Sequence, residues 1–246
     1  MKVKDSVEKH FEHRSNHYSK REAELNEEKL NPFLPFLETA FKGNERVLDV
    51  GCGSGYLLGS IKKRYPKTKL YGIDLTEKLI NEAKKRQNPE INFQKGDVLN
   101  LPFENNSFDV VIFKDLLHHI VRDTQEDSKK VAVKALKEIK RVAKPKAYLM
   151  FYEEVMGSKF TSKLIFNVTK ICFKWNISIP FLYVHKYIIV SFLTEKELEE
   201  MLSGIGAKFI EKKDRKLHLR WKYKINLILP IMLRNAKNLL RVYRFE

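Results

Sequence analysis

The stretch Val47-Leu48-Asp49-Val50-Gly51-Cys52-Gly53-Ser54-Gly55 decides how the rest of this chain is interpreted. Its first half is apolar and β-branched, which predicts a buried strand. Its second half alternates glycines, and the following residues, Tyr56 to Ile61, predict a helix. Glycine lets the backbone turn tightly and a ligand approach it closely, and the free N–H groups of a helix N-terminus face such a ligand. The stretch therefore predicts a strand, turn and helix that cradle a ligand.

The spacing of the glycines helps to choose the ligand. Gly51, Gly53 and Gly55 give G-x-G-x-G, with Tyr56 where the dinucleotide fingerprint G-x-G-x-x-G has its third glycine. Asp49 precedes the turn, and a carboxylate there favours a cation over a pyrophosphate. The segment resembles motif I of the class I methyltransferases, whose cofactor S-adenosylmethionine carries an ammonium and a sulfonium. A nucleotide-binding turn of another family and a purely structural turn are the alternatives.

Composition indicates one domain with an elaboration and an anionic partner. The chain has 246 residues, of which 43% are hydrophobic, and a formal net charge of +16. That length suits a single domain over 1–246 with its own core. Residues 155–246 hold 18 of the 47 Lys and Arg but only 7 of the 31 Asp and Glu. The basic character therefore belongs to the C-terminal third, where an anionic surface would bind.

The cysteines and the apolar runs indicate in which cellular compartment the protein is expected. Cys52 lies in the glycine turn and Cys172 in an apolar helical segment, so no disulfide framework is expected. The first twenty residues are polar and do not resemble a signal peptide. No run reaches the ~20 apolar residues that span a bilayer. We expect a cytoplasmic protein, peripheral on the membrane if its basic helices bind lipid.

Further acidic residues follow the next two strands. Asp74 ends the strand Lys69–Asp74, roughly 20 residues beyond the glycines, where an acid binds ribose hydroxyls. The run G-D-x-L-x-L-P-F…S-F-D, residues 96–109, resembles the methyltransferase type 11 group, and the resemblance implies adenine contacts by Asp97 and Val98. The full set of cofactor contacts it implies is Tyr18, Asp49, Gly51, Cys52, Gly53, Gly55, Asp74, Leu75, Asp97, Val98 and Lys114.

Two adjacent histidines follow the fourth strand, Ser107–Phe113. Ligands bind at the carboxyl ends of strands in open α/β sheets, so His118 and His119 are the candidate catalytic residues. Histidine titrates near neutral pH and can take a proton from a nucleophile. We expect at most one of the two to face the pocket, the other packing or capping a helix. Glu153 and Glu154 follow the fifth strand, Ala147–Tyr152, and a solvated loop is the simpler interpretation of them.

The N-terminal segment, residues 1–42, predicts a helical lid. Asp5 to Asn26 is a charged helical stretch, and Leu30 to Phe41 has apolar residues at helical spacing. Many small-molecule methyltransferases close over the cofactor with such a segment, and the candidates here are Phe11, Arg14 and Tyr18. A solvated helix that lies over the domain is the alternative.

The region 155–192 predicts a helical insertion before the last two strands. Lys159, Lys163, Lys170 and Lys174 share one helical face, with large apolar residues on the other side. Buried, such a helix would cap the substrate; exposed, it would lie on a membrane. The last two strands are expected at Ala207–Lys213 and Lys216–Tyr223, after a helix that Thr194 opens with a capping box. A second basic helix is expected after Pro230, with Arg234, Lys237, Arg241 and Arg244 on one face.

Together these elements predict a seven-stranded, mostly parallel α/β sheet of the Rossmann-like class I methyltransferase type, with helices on both faces. The resemblance implies S-adenosylmethionine as cofactor and methyl transfer by in-line displacement, and no residue spacing calls for a metal. The expected acceptor is a lipophilic small molecule, such as a quinone, isoprenoid or lipid. RNA bound by the basic third and a non-catalytic, cofactor-binding scaffold are the alternatives. A nicotinamide enzyme fits the turn less well.

Overall fold

The computed structural model describes residues 10–12, 33–179, 186–212, 215–216 and 236–246. Its helices, beyond the helical residues 10–12, are α1 Leu34–Ala40, α2 Tyr56–Arg64, α3 Glu77–Arg86, α4 Gln125–Val142, α5 Lys159–Lys174 and α6 Glu195–Gly204, with a 3-10 turn at Leu117–His119. Its strands are β1 Arg46–Val50, β2 Lys69–Asp74, β3 Asn92–Lys95, β4 Phe108–Lys114, β5 Ala143–Met156, β6 Leu193–Thr194, β7 Ala207–Lys212, β8 Arg215–Lys216 and β9 Lys237–Phe245.

The described strands form one mixed sheet. Seven of them follow the order β3-β2-β1-β4-β5-β9-β7, and the two-residue strands β6 and β8 pair with β5 and β9. Neighbours from β3 to β5 run parallel, whereas β9 runs antiparallel to both β5 and β7. Strand order reverses between β1 and β4, the place where open α/β sheets bind ligands. The predicted class is confirmed, with two short strands added.

Helices cover both faces of the sheet, as expected. On one face α4 and α6 bury Leu136, Ile139 and Leu202 against the strands. On the other face α1, α2 and α3 bury Leu37, Leu58 and Ile80. The parallel strands are therefore buried on both sides, which is why β1 and β4 are nearly continuous in apolar residues.

The predicted C-terminal helix is wrong for its described part. Residues 237–245 form β9, which lies between β5 and β7 in the sheet. Lys237 and Arg241 share a face because residues four apart do so in a strand as well as in a helix. Arg241 is only 2% exposed, and its guanidinium pairs with Glu195. The described antiparallel partner of β7 is accordingly β9; Arg234 and most of the expected strand Lys216–Tyr223 lie outside the described residues.

The insertion contains the predicted helix, and the structure shows which of its residues are buried. Ser162, Phe166, Thr169 and Cys172 of α5 are buried, and Phe166 packs on Val121 and Ile189. Phe160, Ile171 and Trp175, which the sequence places on the apolar side of this helix, are 78%, 56% and 67% exposed. Among the described helices, none is both long and apolar enough to cross a bilayer.

Candidate active site

One cavity of about 600 Å³ opens at the carboxyl ends of β1, β2, β4 and β5. Its volume lies in the range of small-molecule and cofactor sites. The part of the wall near β1 and β2 contains the glycine turn, Asp74 and Leu75; the part beyond β4 contains both histidines, Tyr152 and Glu154. The cavity therefore joins the predicted cofactor residues to the predicted catalytic residues.

The glycine turn has the backbone that its sequence predicts. Gly51, Gly53 and Gly55 adopt φ values of 78°, 54° and 78°, which residues with a side chain rarely adopt. A Cβ on Gly55 would also lie 2.5 Å from Cζ of Phe93. Gly51, Cys52 and Gly53 line the cavity, whereas Gly55 does not and instead starts α2. Gly55 therefore allows the turn to form but does not contact the cavity.

Asp74 ties the turn to the end of β2. Its Oδ2 accepts from the Gly53 amide at 2.9 Å, and its Oδ1 accepts from the Thr76 amide at 2.8 Å. Burial raises the pKa of Asp74, and these two amides oppose the rise. A carboxylate has about four acceptor positions, so Asp74 can still accept from ligand hydroxyls while it holds the turn.

The other predicted cofactor contacts face the same cavity. Asp49 is only 2% exposed and lies on its wall with Lys114. Leu75, Asp97 and Val98 line the far end, where Asp97 Oδ1 accepts from the Leu99 amide at 2.9 Å. A buried acid, a glycine cradle without side chains and an acid after β2 fit the ammonium, the methionine part and the ribose of S-adenosylmethionine. Tyr18 lies outside the described residues.

His118 is held by a buried carboxylate. Glu153, 1% exposed, accepts from the amides of Leu116 and Leu117 at 3.0 Å each and bonds Nδ1 of His118. Burial alone would lower the pKa of His118, but the charge and hydrogen bond of Glu153 outweigh it and raise that pKa to about 9. His118 is therefore an imidazolium at neutral pH, stacked on Phe192 at 4.9 Å between ring centroids.

His119 has the opposite environment. Burial lowers its pKa well below the usual value, and the charge of His118 lowers it further. Its Nδ1 is buried and has no hydrogen-bond partner among the described residues. Phe11 meets its ring edge to face at 5.0 Å, and Phe11 also lines the cavity. Both histidines line the cavity, so the expectation that at most one faces it is wrong.

The end of β5 is where sequence reasoning missed most. Glu153 and Glu154 are strand residues, so the solvated-loop interpretation is wrong: β5 continues to Met156 because β6 and β9 pair with its end. Glu154 lines the cavity beside its cross-strand partner Asn238. Burial raises the pKa of Glu154 to about 7; the positive charge of His118 opposes the rise, and Asp115 adds to it.

Three more residues of this wall, Asp115, Arg122 and Asn238, belong to no motif of the sequence. Asp115 follows β4 with φ 50°, a left-handed conformation that Asp tolerates better than most residues. Burial raises its pKa, against the charges of Lys114 and His118. Arg122 and Asn238 complete the wall. No group of three His, Cys, Asp or Glu suited to a metal occurs among the described residues.

Comparison with known proteins identifies the part of the chain that forms this site. A family model described as a methyltransferase domain matches residues 48–151. The chain is similar to a 2-phytyl-1,4-naphtoquinone methyltransferase of Trichormus variabilis, 32% identical over 44% of this chain and 46% of the relative. It is also similar to a demethylmenaquinone methyltransferase of Thermotoga maritima, 27% identical over 66% of this chain and 69% of the relative.

The fold extends beyond the matched domain. A crystal structure of an S-adenosylmethionine-dependent methyltransferase from Methanosarcina mazei superposes with a TM-score of 0.59 at 20% identity, covering 86% of this chain and 97% of that one. Sequence similarity is more limited, since the chain spans about half the length of the curated relatives it matches. The matched residues, 48–151, include the glycine turn, Asp74, Asp97 and both histidines.

Proposed function

We propose that this protein is a class I methyltransferase that uses S-adenosylmethionine, as the match of residues 48–151 to a methyltransferase domain supports, and that it methylates a lipophilic acceptor at an anionic membrane surface. The observation that carries the proposal is the exposed face of α5. Methylation by this cofactor transfers an electrophilic methyl group from its sulfonium to a nucleophile. The residues of the chain must bind both partners, align them and exclude water.

The cofactor end of the cavity is assigned by charge and shape. We assign the ammonium to Asp49, the ribose hydroxyls to Asp74, and the adenine to Leu75, Asp97 and Val98. Lys114 would face the methionine part through its backbone. The acceptor then enters at the other end, near His118, His119 and Tyr152, with Phe11 of the N-terminal segment as one wall. This leaves the first 42 residues as the proposed lid.

The outer face of α5 has two parallel stripes. Phe160, Leu164, Ile171 and Trp175 fall within about 60° of one another at 100° per residue, and three of them are more than half exposed. Lys159, Lys163, Lys170 and Lys174 form the adjacent stripe at the same spacing. Large apolar side chains bordered by lysines are the composition of an interfacial helix. A solvated helix would not expose a phenylalanine and a tryptophan on one side.

The position of α5 supports delivery of an acceptor from the bilayer. Phe166 of α5 packs on Val121, and Val121 lines the cavity. No described residue of α5 lines the cavity itself, so the helix supports the acceptor end from outside. Two of the relatives above are named for quinone substrates, which are lipophilic molecules.

Vesicle binding tests the membrane surface. Vesicles of equal parts phosphatidylglycerol and phosphatidylcholine should bind the protein at low salt and release it at high salt. Lys163→Glu with Lys174→Glu should weaken binding at least about thirtyfold, because each lysine near an anionic surface contributes about 1 kcal/mol. Lys84→Glu with Lys85→Glu on α3 changes the net charge equally and should weaken it much less. Equal loss in both double variants would refute the assignment to α5.

Methyl transfer tests the acceptor class. The protein is incubated with radiolabelled S-adenosylmethionine and, separately, with total lipid extract and total tRNA from its host. We expect label in the organic phase. Label in tRNA would refute the lipophilic acceptor and assign the basic residues to phosphate binding. Cofactor binding without label in either fraction would also refute it.

A further inference from the structure

We propose that Glu154, and neither histidine, is the base of the reaction, and that the acceptor presents a phenol-type hydroxyl to it; this inference rests on the proposed methyl transfer. Glu154 lies on the cavity wall at the acceptor end. Its carboxyl has no hydrogen bond to another described residue. A base needs a free lone pair that faces the substrate, and Glu154 meets that requirement.

Strand geometry aims Glu154 at the acceptor. Tyr152 and Glu154 alternate with the buried Glu153 along β5, so they share one face of the sheet. On that face Glu154 pairs across the strands with Asn238, and Tyr152 pairs with Lys114 of β4. All four residues line the cavity. Glu153 points to the other face and is saturated by the amides of Leu116 and Leu117 and by His118.

The two histidines fail as bases for different reasons. His118 is already protonated at neutral pH through its bond to Glu153. His119 is a weak base, because burial and the neighbouring charge lower its pKa. Of the remaining groups, Asp115 also has a pKa that burial raises, and the positive charges of Lys114 and His118 oppose that rise. Glu154, with a pKa of about 7, is matched to proton transfer near neutrality.

The charges around Glu154 select the kind of acceptor. The cavity wall carries Lys114, His118 and Arg122 as cations, and Lys114 Nζ lies 5.9 Å from the ring centroid of Tyr152. These cations and the sulfonium would repel an acceptor that arrives as an ammonium ion. They would stabilise an oxyanion that forms from a neutral hydroxyl. A phenol, with a pKa near 10, can lose its proton to such a carboxylate; an aliphatic alcohol, closer to water at ~15.7, cannot.

The step balances without another reactant. The acceptor O–H bond breaks and its proton goes to Glu154. The oxygen, or a ring carbon made nucleophilic by the oxyanion, bonds to the methyl carbon, and the sulfur–methyl electron pair stays on sulfur. If carbon is the nucleophile, its ring proton leaves afterwards to water. No oxidant or reductant is consumed, so a quinone-type acceptor must enter as the quinol.

The kinetic test compares wild type with Glu154→Gln, using reduced 2-phytyl-1,4-naphthoquinone as the probe acceptor. Wild-type kcat/KM should fall below about pH 7, and Glu154→Gln should lose at least about a hundredfold together with that acid limb. Calorimetry at pH 5, where Glu154 of the wild type is protonated and as neutral as the glutamine, should give the variant the wild-type affinity for S-adenosylmethionine. Glu104→Gln, an exposed carboxyl away from the cavity, should retain wild-type kinetics. A Glu154→Gln enzyme with wild-type rate or an unchanged acid limb overturns the proposal.

A second measurement decides the inference if wild type methylates nothing, the result that refutes the proposed function. Carbon NMR of protein labelled at glutamate carboxyls follows each titration directly. We expect a carboxyl that titrates near pH 7, absent from Glu154→Gln, with a lower pKa when the cationic S-adenosylmethionine is added. A Glu154 signal that titrates in the ordinary acidic range overturns the proposal.

Discussion

His118 and His119 are neighbours in the chain and differ in charge at neutral pH. The difference comes from their partners: His118 bonds Glu153, and His119 packs its ring on Phe11 with Nδ1 buried. Burial acts on both in the same direction, so one hydrogen-bonded carboxylate decides the charge. Sequence could place the pair at the site, but it could not supply this difference, because Glu153 lies 35 residues away in the chain.

The pair predicts opposite effects of pH on stability. A raised histidine pKa stabilises fully below the unfolded value near 6.5, and this stabilisation is lost as pH rises through about 9. The free energy of unfolding of the wild type should therefore exceed that of His118→Gln by on the order of 3 kcal/mol at pH 6. The difference should disappear by pH 9.5. Urea unfolding at a series of pH values measures it.

His119→Gln is the matched control. A lowered histidine pKa gives stability that is present above pH 6.5 and lost as pH falls, so removing His119 should help the protein at low pH. A gap between wild type and His118→Gln that stays constant with pH would contradict the charge assignment.

Strand β9 is the element that sequence patterns described least well. Almost all of its residues are buried, so it lacks the alternation of apolar and polar residues that indicates a half-exposed strand. Its charged residues fall at a spacing that suits either a strand or a helix, and Arg241 owes its burial to Glu195, 46 residues earlier. The part of the chain that contains the predicted cofactor contacts from Asp49 to Lys114 was, in contrast, predicted closely, including the strand Lys69–Asp74. Its glycines and strand ends fix the geometry locally.

Two arginines distinguish the strand from the expected helix. In β9 Arg241 is buried and ion-paired, whereas Arg244 is exposed; a helix would expose both. Arg241→Ala should lower the free energy of unfolding by about 2–3 kcal/mol, since among the described residues Glu195 then keeps Lys237 alone as an ion-pair partner. Arg244→Ala should cost less than about 1 kcal/mol. Equal small losses would contradict the position of β9.

At the scale of the whole molecule, the bound cofactor should stabilise the folded protein, because Asp49, Gly53 and Asp74 belong to separate segments of one cavity wall. A ligand at a hundred times its Kd stabilises by about 2.7 kcal/mol, or about 5–10 °C in Tm for a chain of this size. Thermal unfolding with and without S-adenosylmethionine measures the shift.

Asp74→Asn should lose most of that shift, and Asp109→Asn, whose carboxylate bonds the Arg46 amide and Lys144 away from the cavity, should keep it. An undiminished shift in Asp74→Asn would refute the ribose assignment.

The position of β9 also has a consequence for synthesis. β5 and β7 are made first, yet their shared neighbour is the last described strand to leave the ribosome. Until Phe245 has emerged, both strands have unpaired edges, which are templates for association with other chains. Binding of β9 then closes contacts some ninety residues apart, such as Tyr148 with Arg244, and such long-range pairing is slow. The nascent chain is therefore most prone to association with other chains after β7 and before β9 has left the ribosome, when residues 46–156 have already emerged.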